Sequence, residues 1–129
     1  MLELKGVHHI AIICSDYEKS KKFYTEVLGF TVVREVYREK RQSYKLDLAL
    51  RENYTIELFS FPTPPSRPTQ PEATGLRHIA FEVDNIEESI ALLKFHKIEA
   101  EPIRIDEFTN KRFTFFEDPD GLPIELYEK

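Results

Sequence analysis

A short sequence motif occurs twice in this chain, about half the chain apart. His-Ile-Ala stands at residues 9–11 and again at 78–80, a separation of 69 residues, counted from 9 to 78. Ile-Glu-Leu stands at residues 56–58 and again at 124–126, a separation of 68, counted from 56 to 124. Two matches at nearly one separation indicate that one structural unit occurs twice. We therefore expect a single domain, residues 1–129, built from two copies at about 6–60 and 76–128.

The stretch between the two copies, residues 61–75, holds five of the eight prolines. Proline fixes φ and has no backbone donor, which excludes a helix or an interior strand here. We expect an extended connector, and it could also cover the mouth of a pocket.

Within each copy, the apolar pattern predicts a strand, a helix and three further strands. The helix of the first copy should begin at the N-cap Asp16 and end at Gly29. A tight turn at residues 118–121, with proline and glycine, should join the last two strands. The predicted fold class is α+β, two tandem βαβββ modules, with strands at 7–14, 30–38, 43–50, 54–60, 77–83, 100–104, 112–117 and 123–128 and a second helix at 86–96.

Alternation along these strands separates an aliphatic face from a face that carries the repeated polar residues, His9, Glu57, His78 and Glu125. A single strand histidine or glutamate is more often structural or solvated. The four together are different, because equivalent positions converge if the modules pair about a pseudo-twofold axis. Two imidazoles and two carboxylates suit a divalent ion, since the carboxylates neutralise its charge. We predict that the four side chains bind one metal ion.

Other polar residues receive simpler interpretations. His8 should lie on the opposite strand face in a structural role, His96 should be exposed after the second helix, and Cys14 should be an inert packed thiol. A basic group is either a solvated hairpin or a device that steers an anionic substrate. Its members are Arg34, Arg38, Lys40, Arg41 and Lys45.

Net charge and hydropathy limit the classes of partner that this chain can bind. The 18 Lys and Arg residues against 23 Asp and Glu residues give a formal net charge of −5. Because the chain also has no run of basic residues, it is a poor candidate for nucleic-acid binding. No apolar run has the roughly 18 residues of a membrane span. A single cysteine excludes an internal disulfide and a four-thiolate zinc site. With no signal-peptide pattern at the start, we expect a reduced, cytoplasmic protein that binds a small molecule.

These motifs resemble the vicinal oxygen chelate superfamily, in particular the glyoxalase I-like members of the glyoxalase, bleomycin resistance and dioxygenase family. The resemblance rests on the opening strand and helix with Phe23-Tyr24 and Leu28-Gly29-Phe30, on the two repeated motifs, and on residues 116–121 ahead of Glu125. It implies a curved mixed sheet and a homodimer, with the site inside one chain or shared between two. It also implies that His9, Glu57, His78 and Glu125 hold nickel or zinc, with cobalt, manganese or iron as alternatives.

The resemblance further implies a metal-dependent lyase or isomerase. Its substrate would be a small 2-oxo or hydroxy compound or a thiol adduct, and Glu125 or Glu57 would move a proton through a metal-stabilised enediolate. Ile13 and Phe61 stand where bacterial glyoxalase I usually has the Arg and Asn that hold glutathione, so another thiol or none is expected. The substrate-binding residues stay unassigned. An extradiol-type dioxygenase and a non-enzymatic binding or resistance protein are the alternatives.

Overall fold

The chain repeats one order of secondary structure in two compact units. The computed structural model describes all residues, Met1–Lys129, and divides into Met1–Pro65 and Ser66–Lys129. The first unit contains β1 (Ile10–Cys14), α1 (Tyr17–Lys22), β2 (Thr31–Arg38), β3 (Ser43–Leu50) and β4 (Asn53–Ser60). The second unit contains β5 (Ile79–Val83), α2 (Ile86–Phe95), β6 (Arg104–Ile105), β7 (Arg112–Glu117) and β8 (Pro123–Glu128). The boundary falls inside the proline-rich stretch.

Each unit has its own four-stranded mixed sheet, and the two topologies are the same. The strand orders are β1-β4-β3-β2 and β5-β8-β7-β6. The first strand of each unit pairs in parallel with the last, and the other pairs are antiparallel. The α+β fold class is confirmed, with the expected order of strand, helix and three strands in each unit.

The predicted helix boundaries are also confirmed. Asp16 accepts a hydrogen bond from the Lys19 amide at 3.2 Å, and Asn85 caps α2 in the same way. Such caps satisfy backbone donors that the first turn leaves free. After α1 the chain continues through one π-helical segment, Phe23–Val27, and stops at Gly29, whose φ of +81° favours glycine. The longest helix, α2, has 10 residues, and none of the helices combines the length and hydropathy that crossing a bilayer would require.

The aliphatic strand face forms the core of each unit, as alternation predicts. Ile56 and Leu58 in the first unit and Ile124 in the second are completely buried. Cys14 is also buried, and its thiol donates to the Phe59 carbonyl, so the prediction of a packed thiol is confirmed. The polar face is therefore left over for side chains that do not build the core.

Three predicted strands differ from the observed ones by more than one residue. β5 begins at Ile79 instead of residue 77. β1 begins at Ile10 instead of residue 7, which leaves His8 and His9 outside its ladder. The strand expected at 100–104 is reduced to two residues, Arg104–Ile105. Glu101 still donates its amide to the Phe115 carbonyl. Pro102 lacks an amide to continue that ladder, which explains why regular pairing starts only after it.

Candidate metal centre

Each unit places one histidine beside one glutamate on the polar face of its sheet. The His9 Nε2 and Glu57 Oε2 atoms are 3.4 Å apart, and the His78 Nε2 and Glu125 Oε2 atoms are 3.3 Å apart. In both units the residue paired with the glutamate on the neighbouring parallel strand is an alanine. These small side chains leave space in front of each pair.

The geometry of each pair fits two neighbouring positions in a metal coordination sphere. Donor atoms that both lie about 2.1 Å from one ion are about 3.0–3.4 Å apart at octahedral or tetrahedral angles. Two such pairs supply two imidazole nitrogens and two carboxylates. In neither unit do three or more His, Cys, Asp or Glu side chains gather into a group that could hold a metal. The structure thus brings His9 to Glu57 in the first unit and His78 to Glu125 in the second.

His8 lies beside His9, where the sequence had predicted a structural residue on the opposite face. The two Nδ1 atoms are 2.8 Å apart, and the His8 ring also packs against Tyr54 at 5.3 Å. The predicted strand face was wrong because β1 starts only at Ile10, so strand alternation does not govern His8. If His9 donates through Nδ1 to His8, its Nε2 lone pair faces Glu57 and is available to a metal.

The other histidine has a different partner. The Arg77 guanidinium lies 3.1 Å from His78 Nδ1, and because arginine can only donate, Nδ1 is the acceptor. The proton of the neutral imidazole then sits on Nε2 and points at Glu125. Metal binding through Nε2 requires the other tautomer, so Arg77 must turn away. The exposed Arg77 side chain is also bonded to Glu72. This ion pair can hold the guanidinium when it leaves His78.

Arg77→Gln should therefore increase divalent metal affinity, by up to about tenfold. The substitution removes both the hydrogen bond that favours the non-binding tautomer and one positive charge beside the ion; an outer-shell contact of this kind is worth about 10–100-fold in affinity. Competition with a fluorescent chelator would measure the change. Lys94→Gln, which also removes one positive charge but from the exposed surface of α2, is the control. Equal affinities for Arg77→Gln and the native chain would contradict the interpretation.

Glu57 is held by a network of polar side chains on its own sheet. The Tyr54 hydroxyl donates to Glu57 Oε2 at 2.5 Å, and Lys45 Nζ lies 3.6 Å from the same oxygen. Lys45 also binds Asp47 at 2.7 Å, and Arg34 binds the other Asp47 oxygen at 2.9 Å. Burial raises the pKa of Tyr54, and its hydrogen bond to Glu57 raises it further. The phenol thus stays a donor at neutral pH, and it anchors the Glu57 carboxylate.

Asp47 is the buried centre of this network, only 1% exposed. Burial alone would raise its pKa, but hydrogen bonds from Lys45, Tyr54 and Arg34 outweigh burial and hold the pKa below its ordinary value. A carboxyl group with a lowered folded-state pKa stabilises the fold above its unfolded pKa of about 3.9. That contribution disappears as the pH falls through the lower, folded-state value.

Asp47→Asn should cost about 2 kcal/mol of unfolding free energy at pH 7, less than a fully buried pair because Arg34 and Lys45 keep access to water. The difference from the native chain should shrink at pH 3, because protonation of Asp47 in the unfolded chain removes part of the native carboxylate's contribution below a pKa of about 3.9. Urea unfolding at both pH values measures it, with the exposed Asp84→Asn as control. A difference that stays constant between pH 7 and pH 3 would show that the ionised carboxylate is not the source.

Glu125 has fewer polar contacts than Glu57. Its carboxylate contacts His78, and no lysine or arginine lies within ion-pairing distance of it. Phe115 is its partner across β7 and β8, and the Phe115 ring meets His78 edge-on at 5.0 Å. The two glutamates are equivalent in the repeat, yet one is anchored by Tyr54 and Lys45 and the other has no such anchor.

Alternation in the sequence could not place Tyr54 or Arg34 on this face. The pairing of β3 with β4 shifts between Leu48 and Ala49, and that of β2 with β3 shifts between Val32 and Arg34. A bulge of this kind moves the following side chains to the other face of the sheet. Lys45 and Asp47, by contrast, lie two residues apart on β3, opposite Phe59 and Glu57, and simple alternation could have found them.

The proline-rich connector, residues 61–75, also contributes to a cavity in the second unit. In the second unit its residues 67–70, 72 and 73 line a cavity of about 720 Å³ together with Arg77, Arg104 and Phe115. Arg67 ties the connector to the Leu76 and Arg77 carbonyls, and Thr69 donates to the Gly121 carbonyl. His78 and Glu125 are not among the lining residues, so this cavity adjoins the pair without containing it.

His96 is exposed after α2, as predicted.

Comparison with known proteins adds a family match. The family model for the glyoxalase/bleomycin resistance protein/dioxygenase superfamily matches residues 6–126. The Escherichia coli (strain K12) protein named "Uncharacterized protein YaeR" is 63% identical over 129 residues, all of both chains. The lactoylglutathione lyase of Schizosaccharomyces pombe is 29% identical over 93% of this chain, which spans 46% of that enzyme's length.

Solved structures agree with the sequence comparison. A glyoxalase family protein from Enterococcus faecalis has a TM-score of 0.88 and 52% identity, covering 96% of this chain and 98% of its own. The trypanothione-dependent glyoxalase I of Leishmania major has a TM-score of 0.74 and 26% identity, covering 97% and 87%. The match to the family thus extends over nearly the whole chain in both sequence and fold.

Proposed function

Because this chain belongs to the glyoxalase/bleomycin resistance protein/dioxygenase superfamily, we propose that it is a metal-dependent lyase or isomerase of glyoxalase I type. The observation that carries the proposal is the pair of repeat-equivalent His–Glu contacts, 3.4 Å and 3.3 Å, each at the spacing of two neighbouring metal ligands. His9, Glu57, His78 and Glu125 would hold one divalent ion, nickel or zinc first. Since each unit supplies one pair, the pairs come from the two units of one chain or from two chains of a homodimer.

The asymmetry of the two glutamates assigns them different tasks. Glu57 is restrained by the Tyr54 hydroxyl and Lys45, which suits a permanent ligand. Glu125 contacts His78 without a cationic anchor. Its carboxylate can therefore move from a metal-ligand position to the substrate. The general base of the reaction is therefore Glu125, with Glu57 as the fixed carboxylate.

The reaction is a proton shift between neighbouring carbons of a small 2-oxo or hydroxy compound or its thiol adduct. A divalent ion, when bound, supplies Lewis-acid polarisation of the substrate carbonyl. Glu125 removes the proton from the carbon next to that carbonyl and returns it to the neighbouring carbon, as base and then as acid. The alanines opposite the glutamates leave room for the substrate in front of these side chains.

The test is turnover of methylglyoxal hemithioacetals by protein loaded with nickel or zinc. Glutathione, cysteine and other small thiols are compared, because Ile13 and Phe61 do not offer the usual glutathione contacts. We expect product formation that requires the added metal and stops on chelation. Stoichiometric metal binding without turnover of any adduct would contradict the lyase, and saturable small-molecule binding would then favour a binding protein. Oxygen consumption with catechols and ferrous iron would favour the dioxygenase.

A further inference from the structure

The first unit carries an unneutralised arginine on the same sheet face as His9 and Glu57. Resting on the proposed function and extending it to substrate class, we propose that Arg38 binds an acidic group of the substrate, a carboxylate or a phosphate. An apolar segment of the substrate would connect this group to the end that reacts near Glu57. The substrate is then an amphiphilic acid with its charge remote from the reacting oxygens.

Arg38 is held in a fixed position by aromatic stacking and one hydrogen bond. Its guanidinium carbon lies 4.8 Å from the Phe59 ring centre and 5.9 Å from that of Phe61. The two rings are nearly parallel, at 10°. Nη2 donates to the hydroxyl of the buried Ser43 at 2.9 Å. A planar cation fixed in this way loses little entropy when it binds a carboxylate or phosphate oxygen pair.

The charge of Arg38 is not used inside the protein. Arg34 and Lys45, on the same face, both form ion pairs with Asp47, and Lys45 also pairs with Glu57, whereas Arg38 forms no ion pair. Its Nε is enclosed without an acceptor, and Nη1 has no partner either. Arg41, over the same Phe61 ring at 5.3 Å, adds a second unpaired cation. The half-buried Arg38 and the exposed Arg41 thus form a pair of cations without anionic partners, which favours the binding of an anion.

The second unit has a similar stacked arginine whose charge is neutralised. Arg104 lies 5.0 Å from the Phe113 ring centre and 5.6 Å from that of Phe115. It also forms an ion pair with Glu101 at 3.2 Å. Stacking on two phenylalanines thus occurs in both units, and the free positive charge occurs at Arg38. Aromatic packing alone does not account for that difference.

The register of the sheet sets the distance between the acid receptor and the His–Glu pair. Glu57 and Phe59 are two residues apart on β4, about 6.6 Å along the strand. Ile13 lies opposite Phe59 on β1 and is 56% exposed, so the space beside the receptor has an apolar border on the β1 side. On the β3 side it is bordered by Lys45, which lies opposite Phe59. A ligand that reaches both ends therefore needs an apolar spacer of that length.

The test uses hydroxamates, whose two adjacent oxygens bind divalent metals, with an acidic group at the far end of an alkyl chain. Chains of about three to six methylenes cover the span of about 6.6 Å. Calorimetry on the nickel-loaded full chain compares the terminal carboxylate, phosphonate and neutral carboxamide of each length. We expect the better of the two acids to bind about 10–100-fold tighter than the amide at one preferred length, the range of a charge-assisted contact. The ratio between carboxylate and phosphonate identifies the acidic group.

Variants of Arg38 and Lys40 distinguish a specific contact with Arg38 from a general effect of positive charge. Arg38→Gln should abolish the preference for acid over amide, and Arg38→Lys should restore only part of it, because lysine lacks the planar fork. Lys40→Gln removes a charge from the same hairpin and should leave the preference intact. An acid that binds no tighter than its amide, or a preference that Lys40→Gln removes as fully as Arg38→Gln does, would overturn the assignment.

A second measurement keeps this test independent of the metal. In the metal-free chain, heptanoate should shift the NMR signal of the Arg38 Nε–H, and heptanamide should not. If no hydroxamate binds the nickel-treated protein, the proposed metal centre fails, while the heptanoate titration still decides on Arg38. An unchanged Arg38 signal at saturating heptanoate would overturn the acid receptor itself.

Discussion

Glu125→Gln should lower turnover of the active hemithioacetal by about 10³-fold, within the range of about 10²–10⁴ typical of a lost general base. The amide has nearly the shape of the carboxylate and can still contact His78, but it cannot accept the substrate proton. The drop should fall on kcat more than on KM, because the lost interaction belongs to the transition state. Steady-state kinetics at saturating metal measure it.

Glu57→Gln is the matched comparison. Since Tyr54 and Lys45 hold Glu57 in place, its substitution should mainly weaken metal binding, and excess metal should recover much of the rate. Glu88→Gln, on the exposed side of α2, controls for general effects of lost charge. If Glu57→Gln abolished turnover at saturating metal while Glu125→Gln kept it, the roles assigned to the two glutamates would be reversed.

His78→Ala should reduce divalent metal affinity by more than 100-fold. Outer-shell partners of metal ligands are already worth about 10–100-fold, and a direct ligand contributes more. In the native chain, free metal at 100 times its Kd should stabilise the fold by about 2.7 kcal/mol. For a domain of this size that corresponds to roughly 10 °C in Tm.

Thermal unfolding with and without metal therefore gives a direct comparison. The native chain should show the full shift and His78→Ala almost none. His96→Ala, at the exposed end of α2, should behave like the native chain. His9→Ala should resemble His78→Ala, because the two histidines occupy equivalent places in the repeat. A full metal-induced shift in His78→Ala would remove that residue from the ligand set.

The strands and the core could be predicted because they depend on local pattern. Alternation placed Ile56, Leu58 and Ile124 on the buried face and both glutamates on the other, and a strand's geometry makes that assignment without distant contacts. Asp16 and Gly29 gave the ends of the first helix for the same reason. Pro102 explains the shortened β6, and its missing amide was visible in the sequence.

The details of the site depended on departures from regular pairing. Two register shifts turned Arg34 and Tyr54 toward Asp47 and Glu57, and a sequence pattern with period two has no means of locating such shifts. The contact of His8 with His9 lies outside the strand ladder, where alternation does not apply. The Arg77–His78 hydrogen bond, which selects the imidazole tautomer, required the positions of side chains.

By itself, the amino-acid sequence determined that one βαβββ unit occurs twice, and that each copy offers a histidine and a glutamate on its polar face. Repetition and alternation are properties of the chain order, so no folding is needed to recognise them. Only the tertiary structure decided that Glu57 is anchored and Glu125 is not, and that Arg38 keeps an unpaired charge. Those differences arise from side-chain contacts within and between the neighbouring strands β2, β3 and β4, whose register and bulges are set when the sheet assembles.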